Sequence, residues 1–150
     1  MGRKGNEMGT SAMTYIHSGN RDTDVICAIY RQGDGYPTGM GEEIKTALGN
    51  KEYVNGLHGD YTSVVNGMGC AAATLIKSLK EEAGNIYMVH PDAGDEQYNY
   101  HIFFDGDRYD PAPGAKLSVA VEGRDNKKIW TGLISDFDGE VIEETEHAAA

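Results

Sequence analysis

The run Asp24-Val25-Ile26-Cys27-Ala28-Ile29-Tyr30-Arg31-Gln32 is almost continuously apolar, the pattern of a central strand covered on both faces. Upstream, Met13-Thr14-Tyr15-Ile16-His17 reads as a short strand, and Ser18-Gly19-Asn20-Arg21-Asp22 supplies turn residues. The two strands are expected to form a hairpin. Downstream, Gly33-Asp34-Gly35-Tyr36-Pro37-Thr38-Gly39-Met40-Gly41 carries four glycines and a proline and predicts a loop. Met40, Ile44 and Leu48 then recur at helical spacing, with Glu42 and Glu43 suited to the positive end of the helix and Gly49 at its close.

Residues 50–66 read as irregular, anchored by Tyr53, Val54, Leu57, Val64 and Val65. A second helix is predicted over Met68 to Ala83, where Ala72, Leu75, Ile76, Leu79 and Ala83 form one apolar stripe and Gly84 stops it. The rest reads as strands. Asn85 to His90 is expected to pair with Tyr98 to Asp105 across Pro91-Asp92-Ala93-Gly94-Asp95, and Lys116 to Glu122 with Lys127 to Ile134 across Gly123-Arg124-Asp125-Asn126. Along Tyr98 to Phe104, Tyr98, Tyr100, Ile102 and Phe104 share one face and His101 and Phe103 the other. The order β-β-α-α-β-β-β-β predicts an α+β fold of two layers, a mostly antiparallel sheet with two helices on one face.

The chain has 150 residues and a formal charge of −11. That length fits one domain. The acidity argues against a nucleic-acid or anionic-membrane binder, since both need clustered cations. No apolar run approaches the ~20 residues of a membrane helix, and no signal peptide opens the chain, so a cytoplasmic location is expected. Asp136, Asp138, Glu140, Glu143, Glu144 and Glu146 crowd the last fifteen residues without a Lys or Arg. Residues 138–150 are therefore expected to be a solvated, disordered tail, 1–7 a flexible extension ahead of a second possible start at Met8, and 8–137 the domain.

Candidate sites are few. The glycine-rich loop before the first helix could cradle an anion, but it lacks the Gly-Lys-Ser/Thr ending of a phosphate loop. A tight connection is the competing reading. Arg31, Gln32, Asp34 and Tyr36 could project from it as a polar contact set for a ligand or partner, flanked by Asn66 and Met68. Cys70 opens the second helix, where the dipole would lower a thiol pKa, and His58 could serve as its base. Against that, Ala71-Ala72-Ala73 beside Cys70 suits a close helix crossing and a buried thiol. Asp105-Gly106-Asp107-Arg108-Tyr109-Asp110 opens like a calcium loop but lacks the required glycine and glutamate. The five histidines show no ligand spacing. No metal and no cofactor are expected.

Tyr30-Arg31-Gln32-Gly33-Asp34-Gly35-Tyr36-Pro37-Thr38-Gly39-Met40-Gly41 resembles a motif in a family of small uncharacterised proteins of bacteriophages and bacterial genomes. Met8-Gly9-Thr10-Ser11 and Val65-Asn66-Gly67-Met68-Gly69-Cys70-Ala71-Ala72 fit the same pattern, as do Gly84-Asn85-Ile86-Tyr87 and Tyr98-Asn99-Tyr100-His101-Ile102. The likeness covers residues 8–103. Ser11 stands where such proteins usually carry an arginine. The resemblance implies a phage-type accessory protein in the cytoplasm of a host cell and supplies no catalytic residues. The expected function is binding of a host protein or a small nucleotide-like signalling molecule, with self-association. The alternatives are a Cys70- or His58-dependent hydrolase or transferase, and a structural or filament-forming protein.

Overall fold

In the computed structural model, which describes residues 9–57 and 59–149, the apolar run becomes strand β2 (Val25–Arg31) and pairs antiparallel with β1 (Ala12–His17). On its other side β2 pairs with a four-residue strand between the helices and the later strands. The loop Gly33 to Gly41 leads through a wide π-type turn, Pro37–Gly41, into α1 (Glu42–Leu48). Two short strands, β3 (Glu52–Val54) and β4 (Val64–Asn66), follow in the stretch read as irregular and pair in parallel. After α2 (Gly67–Leu79) come β5 (Ile86–Val89), β6 (Tyr98–Phe103), β7 (Ser118–Glu122) and β8 (Lys128–Leu133). The main sheet runs β5-β2-β1-β6-β7-β8, and only β1 and β6 are parallel in it. The chain is an α+β protein with a mostly antiparallel sheet.

Met40, Ile44 and Leu48 are buried, as their spacing predicts, and α2 buries Ala71, Ala72, Leu75 and Leu79. They join Ala12, Ile16, Cys27, Ile29, Tyr100, Ile102, Val119 and Val121 in one cluster. Each strand thus gives alternate residues to the helix-covered face. Ala83 lies beyond the end of α2 and is exposed.

Two expectations need correction. Asn85 to His90 and Tyr98 to Asp105 do not form a hairpin: β5 sits outside β2, and β6 lies on the far side of β1. The connection between them, His90 to Gln97, carries turn residues but crosses two strands. Eight extended residues reach roughly 26 Å, ample for three inter-strand steps of about 4.8 Å.

The second correction concerns the acidic tail, which forms α3 (Gly139–Ala149). Asp138 caps it by accepting the Val141 N–H at 3.2 Å. Phe137 and Ile142 are buried in the main cluster. The carboxylates supply the remaining attachment. Glu143 accepts the Thr38 N–H at 2.7 Å and its hydroxyl at 2.8 Å, and Glu146 accepts the Tyr98 hydroxyl at 2.8 Å. Glu42 in turn accepts the Gly139 N–H at 2.7 Å. Residues 1–7 lie outside the described part.

Thr14 points into the helix-covered face between Ile29 and Tyr100 in register, and its hydroxyl is buried without a partner. An unpaired buried hydroxyl costs free energy that an isosteric methyl does not. Thr14→Val is expected to raise the unfolding free energy by about 1 kcal/mol, read from the urea midpoint at constant slope. No described helix is long and apolar enough to cross a membrane.

Candidate functional site

The opposite face of the sheet has no described helix over it. Met13, Tyr15 and Ala28 form a small buried cluster there, with Val25, Tyr30 and Val89 packed around it. Its cover is the β5–β6 crossover, pinned where the Tyr15 hydroxyl donates to the Gly94 carbonyl at 3.1 Å. Strand pairing sets Tyr15 beside His101 and Asn99 beside Glu122. His17, two residues from Tyr15, shares their face. Polar side chains that usually stay in water are therefore buried together: His17 is 3% exposed and Glu122 7%.

With both imidazoles neutral, the hydrogen bonds set their tautomers. The Thr23 carbonyl can only accept, so His17 Nδ1, 2.9 Å away, carries its proton. His17 Nε2 is then an acceptor and takes the His101 Nδ1–H at 2.9 Å. That leaves His101 Nε2 as a bare lone pair, 3.6 Å from Glu122 Oε1. Glu122 Oε2 is held by Arg21 at 3.1 Å. The His101 ring stacks on Tyr15, centroids 4.8 Å apart. Desolvation chiefly, with Arg21 and His17 adding to it, pulls the His101 pKa down to about 3. Desolvation lowers His17 as well. Both imidazoles are neutral at pH 7.

Beside His101 Nε2 lies a cavity of about 110 Å³, walled by Tyr15, Asp95, Asn99, Glu122, Gly123 and Asn126. Asn99 is fully engaged, donating to the Glu96 and Gly123 carbonyls and accepting the Glu96 N–H. Two acceptors thus oppose each other on the cavity wall with no donor between them.

Sequence reasoning placed His101 on the correct face but missed this grouping. His17 and His101 are 84 residues apart and meet only through the parallel β1–β6 pairing. The residues singled out from the sequence lie elsewhere and do not converge with it. Arg31 is 5% exposed, with Nε on the Gly33 carbonyl at 2.6 Å and a 3.0 Å ion pair to Glu43. It braces the loop against α1 and is not offered to a partner. Met68 is likewise buried in the main cluster. Gln32 and Asp34 are exposed, Tyr36 is half-buried with its hydroxyl on Asp34 at 2.8 Å, and exposed Asn66 accepts the Gly56 N–H at 2.7 Å. The loop is anchored where the buried Tyr100 hydroxyl donates to the Gly35 carbonyl at 2.7 Å. A Cβ on Gly35 would lie 2.7 Å from that of Ala12, so the close approach requires glycine there.

Cys70 is exposed, contrary to the buried-thiol reading, while Cys27 is buried as expected. No described histidine is hydrogen-bonded to Cys70, and His58 lies outside the described residues. Asp107 accepts the N–H groups of Tyr109 and Asp110, the work of a turn aspartate. Among the described residues no three His, Cys, Asp or Glu side chains converge as a metal site.

A larger groove of about 460 Å³ runs between the β3–β4 pair and residues 109–113. Its polar groups are mostly occupied internally. Glu52 accepts the Gly114 N–H and Asn55 donates to the Tyr109 carbonyl, both at 2.9 Å. Asp60, held down at about 2 by hydrogen bonds from Ser63 and Thr62, closes its own turn. The open-face cavity differs in that two of its lining residues hold acceptors, His101 Nε2 and Glu122 Oε1, without a hydrogen bond among the described residues. No protein family, curated protein or solved structure matches the chain.

Proposed function

We propose that the chain acts by binding rather than catalysis, and that its ligand is a small polar molecule seated in the open-face cavity. The carrying observation is the pair His101 Nε2 and Glu122 Oε1, 3.6 Å apart and without a hydrogen bond among the described residues, from two residues that line the cavity. A donor from a ligand would bridge both in place of water. A catalytic role is disfavoured because the cavity wall holds no Cys, Ser, Thr or Lys nucleophile. A histidine that titrates near 3 is also a weak general base at neutral pH. The resemblance to small phage and bacterial proteins supports an accessory role in the cytoplasm of a host cell, where two free thiols are at home. Self-association belongs to the same proposal, supported by β5, an edge strand with Tyr87 and Met88 exposed.

Native mass spectrometry of the full chain and of His101→Phe, both purified from cells at neutral pH, tests the reading. Phe preserves the stack on Tyr15 and removes the acceptor. The expected result is a small retained mass on the parent that is lost from the variant. Turnover of a chromogenic ester by the parent but not by the variant would overturn it in favour of an enzyme.

A further inference from the structure

We infer that β5 is the contact edge of a twofold dimer, pairing antiparallel with β5 of a second copy about Met88 so that the main sheet continues through both chains. This rests on the self-association reading above and names its partner, edge and register.

The two ends of the sheet differ. β8 carries the exposed Lys128 and a register shift against β7 between Val121 and Glu122, devices by which edge strands resist pairing. β5 is Ile86-Tyr87-Met88-Val89, with no charge and no proline, and it exposes Tyr87 and Met88. Its register on β2 decides which backbone groups are free. The Gln32 N–H donates to the Asn85 carbonyl at 2.9 Å, and antiparallel bonding alternates residue by residue. Tyr87 and Val89 therefore bond inward to Tyr30 and Ala28, while Ile86 and Met88 direct their N–H and C=O groups outward. Lys80 agrees with this sense, its Nζ reaching the Ile86 carbonyl at 2.9 Å. Ile86 spends its N–H on the Gly84 carbonyl at 2.7 Å. Met88 keeps both groups open among the described residues.

A twofold axis perpendicular to the sheet keeps the helix-covered faces on one side, so each residue meets one from the same face. Centred on Met88, the axis gives its N–H and C=O two reciprocal bonds to the same residue of the second copy. Centred on Tyr87, it would need the Ile86 N–H and C=O, which are occupied. With Met88 at the axis, Met88 packs on its own counterpart and Tyr87 on Val89 of the other chain, apolar against apolar. Ile86 then lies beside His90 of the second copy, which brings Lys80 to the turn that carries the exposed Asp92. The axis repeats that meeting of opposite charges, which works against the mutual repulsion of two chains of −11. The match of this edge to its own reverse is what points to a second copy. Such a contact closes on itself, so assembly stops at two and no filament grows.

Sedimentation of the full chain from micromolar to millimolar concentration at neutral pH, with hydrogen exchange at the Met88 amide, tests the inference. The expected result is a concentration-dependent dimer in which that amide exchanges roughly tenfold more slowly than in dilute protein. Met88→Pro deletes the outward donor at a position where an edge strand tolerates proline. Met88→Lys sets like charges against each other across the axis. Each is expected to sediment as a monomer with Tm of the dilute protein nearly unchanged. Should the proline unfold the strand, Met88→Lys decides, since that side chain is already 61% exposed. In a Cys27→Ala, Cys70→Ser background, Met88→Cys is expected to give a covalent dimer under mild oxidation and Tyr87→Cys is not, because only directly opposed residues come within about 6 Å. A dimer that survives Met88→Lys, or one cross-linked preferentially through Tyr87→Cys, overturns the Met88-centred edge and leaves self-association standing. A parent that stays monomeric at millimolar concentration overturns both. Protection of its Met88 amide by an added strand-forming peptide would then assign the edge to another protein.

Discussion

Gly41→Ala is expected to destabilise the protein by about 3 kcal/mol, roughly 6–12 °C in Tm for a chain of this size. A Cβ at this position would run into the Phe137 ring, meeting Cε1 at 2.6 Å. Both residues are buried, so neither side has solvent to move into. The ring cannot turn aside cheaply, since it also stands edge-on to Trp130 with centroids 5.5 Å apart. Lys45 reaches across to the Phe137 carbonyl at 2.6 Å, tying the backbone there to α1. The least costly escape is release of Phe137 together with α3. The variant should therefore lose helix by far-UV circular dichroism and show an altered Trp130 emission, as well as melting earlier. Adding Phe137→Leu, which shortens the side chain, should recover part of the loss. A Gly41→Ala protein as stable as the parent would mean that α3 does not pack against the π-type turn as described.

Acid should unfold the protein earlier than its carboxylates alone would. His101 titrates near 3 in the folded state because burial, Arg21 and His17 all oppose its charge, against about 6.5 in an unfolded chain. Between pH 6.5 and 3 the unfolded chain binds more protons than the folded one, so stability falls as pH falls through that window. The shift corresponds to a loss on the order of 4 kcal/mol by the bottom of it. His17, lowered mainly by desolvation, acts in the same direction. The measurement is the urea midpoint at intervals from pH 8 to pH 3.5, for the parent and for His101→Phe. The variant lacks the titrating group, so its midpoint should decline less steeply below pH 6.5. Parallel curves would show that His101 is protonated in the folded state.

Where the sequence predicted correctly, the signal was local. The spacing of Met40, Ile44 and Leu48, the stripe on α2 and the alternation along β6 each depend on neighbours within a few turns or residues. The β1–β2 hairpin is also local. The failures share a different cause. The connection from Val89 to Tyr98 contains the same turn residues as a hairpin loop, and only the competition for β1 shows that it crosses over. The acidic helix escaped notice because it is held by Phe137, Ile142 and carboxylate hydrogen bonds, with Val141 left exposed, so no amphipathic stripe is visible. Arg31 read as a contact residue because arginines are usually exposed; Glu43 and the Gly33 carbonyl give it reason to turn inward. The candidate site was legible in one half only. Alternation put His101 on the open face, but its partners His17 and Glu122 come from two other strands through pairings that no local pattern encodes.

The parallel contact between β1 and β6 also sets a timetable. The β1–β2 hairpin and α2 are short-range and can form while the chain is still being synthesised. The imidazole pair cannot, because closing it requires residue 101 to return to residue 17 after two helices and a crossover have intervened. Non-local closures of this kind come late and slowly in folding. A chain interrupted just before β7 would carry most of its hydrophobic residues and no Glu122 to pair with Asn99. The two histidines and Glu122 are therefore assembled only once β7 has joined the sheet, late in folding.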